Sequence, residues 1–333
     1  MKVPKKINDL LDLRIAYIEA QEGKLDRKII SYQQELLTKL TIEVVNSLDV
    51  DARGRIRETK KNYRLLTMLE KTYRDFTKNN RYMLGDDIRK AVTEIALKSN
   101  TYFNTVLLDE FTETALKDAV AGANAFVNLQ LGLGEKGMTA GGFLDNLIRN
   151  EELLLQLKQF TAQAITGRMP KKDYIKEMNR LVIGDKAVQG GHERIFNRYA
   201  RDMYSSYDAA YNKTLADRLG LKWFIYSGGL VRDSRDFCVA HNAKVYSTDE
   251  AEAWKTWTIN KAIKADEFPA GYEIQEKPER WGQTPGYMDF PEYSPVHHRG
   301  GYNCRHILGY ISHRLAERMR PGNKKKYRKM IAD

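Results

Sequence analysis

Both cysteines of this 333-residue chain, and four of its six histidines, fall in two short stretches, "FCVAHNAKVYS" at 237–247 and "PVHHRGGYNCRHILGY" at 295–310. Cys238 and His241 stand in a C-x-x-H spacing and Cys304 and His306 in C-x-H, with His297 and His298 just upstream. Thiolate and imidazole are the ligands that zinc takes in tetrahedral sites, usually donated as two short pairs from separate turns. Residues two apart on a strand point the same way, so Cys304 and His306 can face one metal, with His297 or His298 as alternates for the second ligand. Three other chemistries use the same residues. The cysteines can pack as small buried hydrophobes or form a disulfide in oxidising surroundings. Cys238 can also act as a nucleophile paired with a histidine, although no oriented third group is evident. The spacing alone leaves all four open.

The elements that must position these residues begin after residue 220. "LKWFIYSGG" has the aromatic and β-branched content of a strand ending at a glycine turn, "AKVYS" reads as a second short strand, and Ile307 to Ile311 as a third. Between the second and third, from about 248 to 292, a polar stretch bearing Trp254, Trp257 and Trp281 reads as loops over a small core.

Upstream the pattern is helical. From residue 5 to about 130, apolar residues recur at mixed three and four spacings, strand signals are nearly absent, and "VDARGR" around Gly54 is the clearest break. "LGLGEKGMTAGG" at 131–142 lacks the Gly-Lys-Ser/Thr ending of a phosphate loop and reads as a hinge. Helices resume on either side of "TGRMPKKD", with Gly167 fit to end the first, and a further helix carries Tyr199, Met203, Tyr207 and Tyr211 at steps of four before Gly220 closes it. The expected fold is mainly α: a long helical arm or bundle over 1–145, a helical layer over 146–220, a small α+β module with short strands over 221–313, and a basic tail over 314–333.

The formal charge of +11 favours polyanions. The tail concentrates it, with Lys324, Lys325, Lys326, Arg328 and Lys329 as candidate phosphate contacts. Lys60, Lys61, Arg64, Lys71, Arg74 and Lys78 give an earlier helical segment one basic face, which is either solvated or a nucleic-acid contact. No run approaches eighteen uncharged apolar residues and the N-terminus turns charged and helix-like, so neither a secretory leader nor a membrane span is expected. His-Glu-x-x-His, the nucleobase-deaminase signature and a carboxylate cluster are absent from the sequence, which weighs against a zinc-dependent nuclease-like enzyme.

"GGLVRDSRDFCVAHNAKVYS", the proline before His297 and His298, and "GGYNCRH" together resemble the C-terminal module of the tailed-phage minor head proteins, the Mu F-like or head morphogenesis family. In that module an Asp-x-Arg element precedes a Cys or His pair, a short Asn/Asp-Gly-Lys-Val-aromatic strand follows, and Asn-Cys-Arg-Cys or Asn-Cys-Arg-His closes it. Asp233, Arg235, Cys238, Lys244, Val245, Asn303, Cys304, Arg305 and His306 occupy those places. Ala243 stands where a glycine is usual, and His306 where many members have the final cysteine. The resemblance covers roughly residues 150 to 311 and does not reach the first 130. It implies a non-enzymatic virion protein, in the capsid interior or at the portal vertex and in the host cytoplasm during assembly. The implied partners are the portal protein, the major capsid protein or both, and packaged double-stranded DNA, with which some relatives are ejected. Asp233, Arg235, Asn303 and Arg305 would then be structural, with Asp233 capping a turn or pairing with an arginine such as Arg305. A sequence-independent DNA-binding module remains the third class of reading.

Overall fold

The computed structural model describes residues 4–134, 137–185, 187, 189–191, 203–231, 234–257, 259–274, 294–300 and 304–320. The chain is mainly α, with a long N-terminal helix and a small C-terminal region of short antiparallel strands. Helix α1 runs over Lys5–Leu40 and ends in a π-helical turn at Thr41–Val45. Helix α2 spans Lys60–Leu107 and α3 Glu113–Leu131. Gly54 lies in the break between the first two at φ +72°, a left-handed turn position that glycine takes without a Cβ penalty. No described helix is long and apolar enough to cross a membrane.

Packing divides the chain into two compact units, each assembled from separate stretches. One takes the described parts of Met1–Ala20, Ala91–Val127 and Asp202–Asp333, the other those of Gln21–Lys90 and Asn128–Arg201. These units do not follow the sequence divisions at 145, 220 and 313. Packing groups the part of α1 up to Ala20 with residues some two hundred or more positions later, which no local pattern announces.

The second unit is helical. Helices α4 (Phe143–Arg149), α5 (Glu151–Thr166) and α6 (Lys171–Val182) complete it. Its core joins Leu36, Leu40 and Val44, at steps of four, to Leu65, Leu69, Tyr73 and Phe76 of α2 and to Leu153, Leu157 and Ile165 of α5. Fully burying each such side chain contributes about 1.5–3 kcal/mol. Gly167 caps α5, but the left-handed residue there is Arg168, one position on, at φ +50°. The expected hinge at 131–142 contains a two-residue hairpin instead. β1 (Leu133–Gly134) pairs antiparallel with β2 (Gly137–Met138), and Gly132 and Gly142 sit so close that a Cβ on Gly132 would lie 2.8 Å from the Gly142 Cα.

The first unit holds the three strands where their composition placed them: β3 Trp223–Ser227, β4 Lys244–Ser247 and β5 Ile307–Ile311. β3 is central and antiparallel to both neighbours, with Trp223 opposite Ser247 and Ile311. It is buried along its whole length, as its unbroken apolar run requires. Helix α7 (Met203–Arg218) packs on β5; Met203, Tyr207 and Tyr211 are core residues, the two tyrosine rings stacked 5.9 Å apart. Tyr199 lies outside the described residues. Within the same unit, Gly309 of β5 meets the long helices so closely that a Cβ there would fall 2.7 Å from Leu11 and 2.8 Å from the Tyr102 hydroxyl. The stretch after β4 forms short helices at Thr248–Glu252, Ala253–Thr256 and Ile259–Lys264 rather than open loops. Ser247 and Glu250 start them with a reciprocal capping box, and Trp254 and Trp257 are buried beneath. Trp281 lies outside the described residues.

Ala243 turns the chain into β4 at φ +57°, its N–H donating to the Tyr226 carbonyl at 2.7 Å. A Cβ is disfavoured in that conformation, which explains why a glycine suits the position. Ala243→Gly is expected to stabilise the protein by up to about 1 kcal/mol in urea unfolding; a loss of stability would mean the turn is not left-handed.

Candidate metal centre

Two elements deliver the cysteine and histidine side chains, and a third sets a tyrosine between them. A six-residue helix, Asp236–His241, carries Cys238; the segment leading into β5 carries Cys304 and His306; and Tyr226 projects from β3 between them. The Cys238 and Cys304 sulfurs, 66 residues apart in sequence, lie 4.0 Å apart as free thiols. The Tyr226 hydroxyl lies 3.6 Å from the first and 3.3 Å from the second. His306 Nδ1 is 3.9 Å from the Cys304 sulfur, and its ring stacks on Tyr226 at 4.6 Å. The ligand atoms of Cys238, Cys304 and His306 all fall within 4.8 Å of one another, on residues only 2–5% exposed.

Two glycines make this convergence sterically feasible. A Cβ on Gly300 would lie 2.7 Å from the Cys238 sulfur and 3.1 Å from that of Cys304, and one on Gly228 would lie 2.6 Å from the His306 ring. Gly300 also donates its N–H to the Cys304 sulfur at 3.3 Å. It is presented by a turn at Arg299 with φ +52°, an unfavourable conformation for a side-chain-bearing residue. The buried Arg299 guanidinium holds that turn by donating to the carbonyls of His306 (2.7 Å) and Ser205 (3.2 Å).

The two thiols are not equivalent. The hydrogen bond from the Cys238 thiol holds Cys304 well below the usual thiol range, with His306 and Arg299 adding to the effect against its burial. That same bond, with burial, pushes Cys238 well up. The Nε2 of His306 is buried without a hydrogen-bond partner among the described residues. Two cysteine sulfurs and an imidazole nitrogen within 4.8 Å of one another form a soft donor set that fits zinc. The sulfur separation is also near the roughly 3.8 Å between two thiolates bound at about 2.3 Å to a tetrahedral ion.

The other expected ligands lie elsewhere. His241 is 1% exposed, stacked on Phe237 at 4.1 Å and enclosed by Trp254 and Trp257, and its Nδ1 bonds to the Phe237 carbonyl at 2.7 Å. The i+4 step back to Phe237 within one short helix gives His241 this partner. Burial pushes its pKa down to about 3. The unfolded chain therefore takes up this proton first as pH falls, and stability should decline between about pH 6.5 and 3 by up to about 1.4 kcal/mol per pH unit. His241→Phe is expected to flatten that part of an acid-unfolding profile; an unchanged slope would contradict the buried neutral imidazole. His297 and His298 bond to Ser294 rather than joining the sulfurs.

Arg235 donates to the Gly300 carbonyl at 3.0 Å and so braces the same turn. Arg305 lies 3.5 Å from Glu19 at the surface. Asp233, Asn303 and the tail residues Lys324, Lys325, Lys326, Arg328 and Lys329 lie outside the described residues. Tyr226, Gly228, Gly300 and Arg299 were not singled out by spacing; the glycine doublets "SGG" and "RGG" were the available signal, since each supplies one of the two close approaches. No protein-family model matches this chain, and neither does any curated protein or solved structure.

Proposed function

We propose that this chain is a structural minor head protein of a tailed phage, placed at the portal or inner capsid beside packaged DNA, with a C-terminal module clamped by zinc. The carrying observation is the convergence of Cys238, Cys304 and His306 in one buried cluster, at positions that also carry the minor-head resemblance. Cys238 and Cys304 would bind as thiolates on losing their protons, and His306 would offer a ring nitrogen. Zinc, when bound, supplies a tetrahedral cross-link of the kind that holds small modules folded. Gly300 and Arg235 orient the sulfurs from outside the ligand set. The formal charge of +11 suits a protein lying against DNA, with the tail lysines and Arg328 as phosphate contacts.

Burial of both sulfurs, at 4% and 5% exposure among the described residues, favours a structural role over a catalytic one. The zinc-dependent nucleic-acid enzyme keeps one supporting observation: three protein ligands among the described residues are the number that leaves a coordination position open in catalytic sites. Mass spectrometry of purified particles from a phage encoding this chain tests the choice. Peptides of the chain in mature particles, with no nuclease activity from the zinc-loaded protein, support the structural reading. Absence from particles together with metal-dependent nuclease activity would replace it by the enzyme.

A further inference from the structure

The helical unit carries a concentration of positive charge that the head-protein reading does not use. Arg74, Lys78 and Arg81 occupy successive turns of α2, at steps of four and three that place them on one face. The last residue of α4, Arg149, and the first of α5, Glu151, meet that face, and the five line a cleft of about 310 Å³ with Tyr82. Tyr82 is 59% exposed, and the Arg81 guanidinium lies over its ring at 4.7 Å.

The charges in this cleft do not cancel. Arg74 is met by Glu151 at 2.6 Å and by Glu70 at 3.1 Å. Arg81 and Arg149 share one buried carboxylate, Asp145, at 3.1 and 3.0 Å. Lys78 has no ion pair among the described residues. The Arg81 Nε is buried without a hydrogen-bond partner among the described residues. Glu70 is also paired with Lys158 at 2.5 Å, so Arg74, Lys78, Arg81 and Arg149 face the two remaining carboxylates, Glu151 and Asp145, an excess of about two positive charges at a concave site, where their fields add. A solvated basic helix face would spread its cations along one element; here they converge from two helices.

We propose that this cleft binds a phosphate group, carried either by a free phosphate ester or by a nucleic-acid strand. The planar forks of Arg81 and Arg149 suit the bidentate geometry of a tetrahedral oxyanion, and Lys78 adds a mobile point charge. Tyr82 gives the site an aromatic wall beside the anion. The assignment depends neither on zinc nor on head assembly.

The test is the full-length protein against the variant Lys78→Gln/Arg149→Gln, which removes two exposed or half-exposed cations and leaves Asp145 paired with Arg81. Inorganic phosphate, compared with sodium chloride at matched ionic strength, should raise the melting temperature of the wild type, and the variant should bind it about fivefold or more weakly. The affinity for a labelled mixed-sequence DNA duplex identifies the source. A matching fall, with a salt dependence shallower by about one to two phosphate contacts, assigns the site to a nucleic-acid backbone. An unchanged duplex affinity with a lost phosphate response assigns it to a free phosphate ester. A wild type that responds to phosphate no more than to chloride and a variant with unaltered duplex binding, or a variant that keeps the full phosphate response, overturns the site.

Discussion

Arg14→Met is expected to destabilise the first unit, which holds the three-stranded sheet, by about 3–5 kcal/mol, the cost of leaving a buried charge without its partner. Arg14 and Asp208 are both 0% exposed and ion-paired at 2.9 Å, across 194 residues of sequence. The guanidinium also reaches the Leu308 carbonyl of β5 at 3.2 Å, while Asn212 donates to Asp208 at 3.0 Å. This network fastens the first turns of α1 to α7 and the sheet, so its loss should also raise hydrogen exchange in β5. Arg14→Met/Asp208→Leu should recover a large part of the loss, because replacing both partners by apolar groups leaves neither unsatisfied. Urea unfolding of the three proteins checks this. A single variant within about 1 kcal/mol of wild type would mean that the pair is solvated and the first helix does not dock on the module.

The second large effect is expected at Cys304. Cys304→Ser removes one of the two sulfurs of the cluster and should abolish zinc binding while destabilising the unit by about 4 kcal/mol or more. For a unit of this size that corresponds to roughly 8–16 °C in Tm. A chelator should lower the wild-type Tm by a similar amount and leave the variant unchanged, which separates lost metal from a merely disturbed core. Gly300→Ala keeps all three ligands but places a methyl group against both sulfurs, and should weaken zinc by about 10–100-fold. Equal chelator sensitivity in wild type and Cys304→Ser would remove the cluster from the account.

What the sequence made legible was local. The three strands were readable from their aromatic and β-branched content, the first of them ending at a glycine turn, and the helix ends at Thr166 and Arg218 because Gly167 and Gly220 follow closely. The pairing of Cys238 with Cys304 was readable as two short clusters of rare, metal-competent residues. The identity of the histidine was not. Both His241 and His306 sit at ligand spacings, and only packing shows one against Phe237 and the other beside the sulfurs. Still less legible were contacts that join residues far apart in sequence, such as Leu11 against Gly309. A helical period marks Leu11 as buried without saying against what. The same limit hid the phosphate cleft: Arg74 and Lys78 were visible as a basic helix face, whereas Arg81 and Arg149 gained meaning once α4 and α5 were folded against it.

The most direct test of the central claim is elemental analysis of the protein purified under reducing, chelator-free conditions, read alongside a thiol titration. A single zinc per chain is expected, with Cys238 and Cys304 unreactive until a chelator is added and two thiols released with the metal. A metal-free protein whose two thiols titrate identically with and without chelator would contradict the zinc clamp and leave Cys238, Cys304 and His306 as a hydrogen-bonded core around Tyr226.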